Sequence, residues 1–140
     1  MTDLALLASG AEASEAADLL RELHDLLCGD HSLWGDRGDF IGAAARFDAL
    51  LAADACASAA LLLIAGRSGY MVSQGPGGRV IATVTLGQQG GEVSSAGADV
   101  ALALIGALAQ ALAEVPAATL SAADPARRLV QPEQVSLRLN

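Results

Sequence analysis

Between Asp99 and Gln110 the chain runs for ten residues without a polar side chain, in a stretch from Ala98 to Glu114 whose alanine and leucine content favours a helix. Pro116 closes that helix. Val100, Leu104, Leu108 and Leu112 return every four residues along one face. Leu102 and Ile105 lie off it, and alanines fill the gaps. A helix at a protein surface needs a polar stripe, and this one has almost none, so it must be covered on nearly all sides. One thin sheet covers a single side. The small residues Ala103, Gly106 and Ala107, with Gln110, allow a second helix or another subunit to come close. A homo-oligomer built on those four positions is the expectation, with the chain's first two helices competing for the same role.

The rest of the sequence supplies those helices and a sheet. From Glu12 to Cys28, Ala16, Leu19, Leu20, Leu23, Leu26 and Leu27 keep helical spacing, and Gly29 is placed to end the run. Asp30 to Gly38 reads as a loop around the only tryptophan, Trp34. Asp39 can cap a second helix carrying Phe40, Ala44, Phe47 and Leu51, which ends near Asp54. Residues 55–64 fit a continuation of that helix, a short third helix or a buried strand, with alanine favouring helix. Tyr70–Gln74 and the β-branched run Arg79–Leu86 flank Gly75-Pro-Gly-Gly78 and predict an antiparallel hairpin. After a turn at Gln88–Gly91, Glu92–Ser95 offers a third strand. The order helix, helix, strands, helix is α+β.

At 140 residues there is room for one core. We read residues 1–116 as a single α+β domain that closes on Pro116, and 117–140 as a C-terminal extension punctuated by Pro125 and Pro132. Within it Val135-Ser-Leu-Arg-Leu139 alternates apolar and polar residues, the pattern of an edge strand or a docking segment.

Charge is uneven. Residues 1–54 hold eleven acids against Arg21, Arg37 and Arg46 and so carry the whole net charge of −8, while residues 55–140 balance five acids with five arginines. Direct binding to nucleic acid or an anionic membrane through the first half is disfavoured by repulsion. A basic protein partner is favoured there. On the first helix Glu15, Asp18, Glu22 and Asp25 recur at three- and four-residue spacing and form the candidate partner-binding face, set against the plainer reading of a solvated stripe. The apolar runs 55–66 and 100–109 fall short of the roughly 20 residues that cross a bilayer. Asp3 stands where a secretion signal needs positive charge, so a cytoplasmic protein is expected.

Few residues suggest chemistry. The chain has no lysine, which removes Schiff-base and P-loop mechanisms. His24, Cys28 and His31 have metal-ligand spacing but no fixed fourth ligand, so we expect no metal site there. Cys56 lies in an apolar run that should keep it inert, and neither cysteine has the partners of a nucleophile. No cofactor is expected. The glycine-rich Gly75, Gly77 and Gly78 with Arg79 and Arg67 could cradle an anion such as a signalling nucleotide, although the segment joins strand to strand and reads more simply as a hairpin turn.

Three stretches resemble a known family. Ala59–Gly66 followed by Gly69-Tyr-Met-Val72, the helix Gly97–Ala113 and the opening Leu6–Asp18 are similar to the phage ABA sandwich domain family, with departures at Ser58, Ala65 and Ala98–Asp99. The resemblance implies a phage-encoded protein with a small antiparallel sheet packed with helices in an α/β/α sandwich, and no established activity. The expected function is therefore a non-enzymatic accessory or anti-defence protein that binds a host protein. A nucleotide-sequestering protein and a structural component of a phage particle are the alternatives.

Overall fold

The computed structural model describes residues 1–29, 37–64, 68–87 and 91–114, with the side chains of 29 and 37–42 excepted. The anticipated loop around His31 and Trp34, the turn at residues 88–90, Arg67 and the C-terminal extension lie outside the described residues. Five α-helices and three strands are described: α1 (Thr2–Gly10), α2 (Ala16–Gly29), α3 (Arg37–Ala52), α4 (Cys56–Ile64), β1 (Ser68–Gln74), β2 (Val80–Leu86), β3 (Glu92–Gly97) and α5 (Val100–Glu114). The strands form one antiparallel sheet in the order β1-β2-β3. The fold is α+β, as the order of patterns implies.

The expected hairpin forms around Gly75–Gly78. Pro76 precedes Gly77, whose φ of 81° and ψ of 10° are those of the third residue of a type II turn. The Gly78 N–H closes that turn on the Gly75 carbonyl at 3.3 Å, and the Gly75 N–H donates to the Arg79 carbonyl at 2.8 Å. Strand β2 then alternates strictly. Val80, Ala82 and Val84 are buried, while Ile81 faces outward and is exposed. Across from β2, Thr83 and Ser94 share a hydroxyl hydrogen bond of 2.7 Å on the outer face.

Helix α5 is the centre of the molecule. Asp99 caps it, its Oδ1 accepting the Leu102 N–H at 2.8 Å. The helix runs back along β3, and two glycines set how closely it approaches. A Cβ on Gly97 would lie 2.5 Å from the Ala103 nitrogen, and one on Gly106 would collide with Ser95 Oγ. Every residue from Ala101 to Ala109 is buried. The sheet covers one side of α5, and α1, α2 and α4 pack against the others. Ala8 of α1 sits across from Gly106. The reason for placing an oligomer contact on Ala103, Gly106 and Ala107 therefore falls away: their small size admits α1 and β3 of the same chain. Gln110 alone among those four is exposed.

Other boundaries differ from the sequence reading in instructive ways. Helix α1 was not anticipated. It buries Leu4 and Ala8 while Leu6 and Leu7 stay exposed, so its apolar residues show no single stripe. The first expected helix begins with a tight turn at Ala13–Glu15, where Glu15 Oε2 accepts the Glu12 N–H at 2.8 Å, before α2 proper. Helix α3 starts two residues ahead of Asp39, the residue expected to cap it. It ends in a Schellman arrangement, with Asp54 at φ 56° and hydrogen bonds from Asp54 N to Leu51 O and from Ala55 N to Leu50 O. That left-handed residue breaks the chain direction, which is why residues 56–64 form a separate short helix rather than a continuation of α3.

The helices gather on one face of the sheet. Among the described residues none covers the opposite face, where Met71 and Ile81 are exposed.

Candidate functional site

The chemistry-bearing residues are scattered. His24 lies on α2 with its ring stacked on Phe47 of α3, centroids 4.5 Å apart and planes within 10°. Cys28, one turn on, places its sulfur 3.5 Å from His24 Nδ1 and 3.6 Å from Nε2. A sulfur nearly equidistant from both nitrogens lies in line with neither lone pair, so this contact is packing rather than a nucleophile and base. Burial, reinforced by Asp25, pushes the Cys28 thiol above its ordinary pKa and leaves it protonated at neutral pH. Cys56 is raised too, first by burial and then by Asp54 and Asp99. Among the described residues no three His, Cys, Asp or Glu side chains come close enough to share a metal ion. His31 lies outside them.

The glycine-rich turn is closed on itself. The N–H groups of Gly75 and Gly78 are used within the hairpin, Pro76 has none, and Gly77 and Gly78 serve the turn with φ of 81° each. Two of the amides that would hold an anion are thus occupied. Arg79 is exposed beside the turn, and Arg67 lies outside the described residues.

The acidic positions are brought together. Glu15, in the turn that opens α2, and Asp18, Glu22 and Asp25 on α2 itself are all exposed, and Asp18 pairs with Arg21 at 3.0 Å. An exposed pair of this kind is worth about 0–1 kcal/mol. Beside them is a feature the charge pattern does not show. Leu6, Leu7, Gly10 and Ala11 of the α1 end meet Glu15 and Leu19 around a shallow depression. Leu6 is 67% exposed and Leu7 56%. Leu26, 44% exposed, lies two turns beyond Leu19, so Glu15, Leu19, Glu22 and Leu26 form one stripe at spacings of four, three and four. The face is therefore acidic and aliphatic at once. The adjacent Leu6 and Leu7 were the available signal, hidden because α1 is short.

Among the described residues no polar or charged side chain is buried. No protein-family description, curated protein or solved structure matches the chain.

Proposed function

We propose that this chain is a non-enzymatic binding domain that recognises another protein through the α1–α2 face. The observation that carries the reading is the exposure of Leu6, Leu7 and Leu26 within a field of carboxylates. The complement of such a surface is a basic segment that also presents aliphatic side chains. Burying one leucine side chain stabilises by about 1.5–3 kcal/mol, more than an exposed ion pair, so the leucines supply affinity while Glu15, Asp18, Glu22 and Asp25 orient the partner and speed its approach. On the resemblance of its sequence to the phage ABA sandwich domain alone, we extend the proposal to an accessory or anti-defence protein acting on a host protein. The nucleotide-binding alternative is weakened by the amides that the hairpin turn consumes.

The test is capture from host lysate with paired variants. Glu22→Arg with Asp25→Arg changes charge without touching the core or the turn that Glu15 caps, and is expected to lose the captured protein and flatten the salt dependence of its binding. Leu7→Ala is expected to lower affinity with the salt slope retained. A partner held equally well by both variants contradicts the assignment of this face.

A further inference from the structure

The open edge of the sheet carries an inference independent of the α1–α2 reading. Among the described residues strand β1 is an edge strand in the order β1-β2-β3, and none of its residues is buried. Tyr70 and Val72 share the core-side face of the sheet with Val84 and Ala82, yet Tyr70 is 54% exposed. Natural edge strands protect themselves with charges, prolines or bulges. Ser68-Gly-Tyr-Met-Val-Ser-Gln74 has no charge and no proline, and pairs with β2 in unbroken register. It carries none of those edge protections.

A segment with the pattern of such a neighbour lies in the same chain, outside the described residues. Val135-Ser-Leu-Arg-Leu139 alternates apolar and polar residues, carries Arg138, and follows Pro132 and Glu133, the devices that β1 lacks. Its place in the chain also fits. Gly97 abuts Ala103 and Ser95 abuts Gly106, so α5 runs back along β3 and brings Glu114 to the end of the sheet where β1 begins. From there to the open edge the chain must cross three strands, about 14 Å. Residues 115–134 span up to about 66 Å when extended, so reach is ample.

We infer that residues Val135–Leu139 pair with β1 as a fourth strand. Val135, Leu137 and Leu139 take the face of Tyr70 and Val72, and Ser136 and Arg138 take the face of Met71. The sheet then ends in a strand with an edge charge, and the aromatic and aliphatic side chains of β1 gain cross-strand partners.

Hydrogen exchange of the full chain, read amide by amide, tests this. Because Gly75 N–H bonds Arg79, the bonded pairs alternate through Ser73, Met71 and Gly69, and the amides of Tyr70, Val72 and Gln74 point away from β2. Those three amides are expected to exchange at least about tenfold more slowly than unprotected amides, independently of protein concentration. Ser136→Pro with Leu137→Pro removes whichever of the two adjacent donors faces β1. It is expected to release the three amides, while Gly69, Met71 and Ser73 stay protected and report an intact hairpin. Unprotected exchange at Tyr70, Val72 and Gln74 in the unaltered chain overturns the proposal. So does protection that survives the proline pair or grows with concentration, which would put a second copy on this edge.

Discussion

Helix α5 and strand β1 are both free of charge over almost their whole length, yet one buries every residue from Ala101 to Ala109 and the other buries none. The difference lies in what each needs as cover. A helix radiates side chains in all directions, so an apolar helix is stable only inside a ring of neighbours, and α5 finds them in the sheet, α1, α2 and α4. A strand has two faces and two edges. Three short strands leave β1 with an edge and much of both faces uncovered. Apolar character therefore marks a segment that favours cover without saying by what: α5 is covered by elements next to it in space, whereas among the described residues the edge of β1 has no neighbour.

Truncations sharpen the contrast. Leu104, fully buried on α5, is expected to cost about 2–5 kcal/mol on change to alanine, through lost burial and the cavity left behind. Asp99→Ala removes the cap that starts α5 and is expected to cost about 1 kcal/mol. Met71→Ala, at a side chain 64% exposed on the outer face of β1, should stay within about 0.5 kcal/mol. Urea unfolding of the three variants checks the ranking. A Met71 variant that falls as far as the Leu104 variant would mean that β1 is covered on its outer face as well, and the comparison would break.

Much of this fold was legible in the sequence, for identifiable reasons. Helix α2 showed its period because acids separate its leucines. The hairpin announced itself through Pro76 and the glycines after it, since a type II turn needs a positive φ that glycine adopts without strain. The wraparound burial of α5 followed from its missing polar face. What covers α5 did not, because α1 is nine residues long and spends Leu6 and Leu7 on the outside, so its contribution through Leu4 and Ala8 left no periodic trace. The end of α3 near Asp54 was legible, but whether residues 55–64 continued it stayed open for a related reason. An aspartate, rather than the customary glycine, occupies the left-handed position at residue 54. For the candidate site, charge spacing brought out Glu15, Asp18, Glu22 and Asp25, whereas the leucines that give the face its affinity needed the packing of α1 on α2.

The central claim is that α5 is enclosed by its own chain, and Gly106→Leu tests it most directly. On a helix face open to solvent, replacing glycine with leucine stabilises by up to about 1 kcal/mol, because leucine is the better helix former. Enclosed between Ser95 and Ala8, the same change forces β3 or α1 aside and is expected to destabilise by about 1–3 kcal/mol. Urea unfolding at two protein concentrations about tenfold apart separates the outcomes. Enclosure within one chain predicts a lower midpoint by the same amount at both concentrations. A midpoint that rises, or a loss that appears only at the higher concentration, would place Gly106 on an open or intersubunit face and contradict the account.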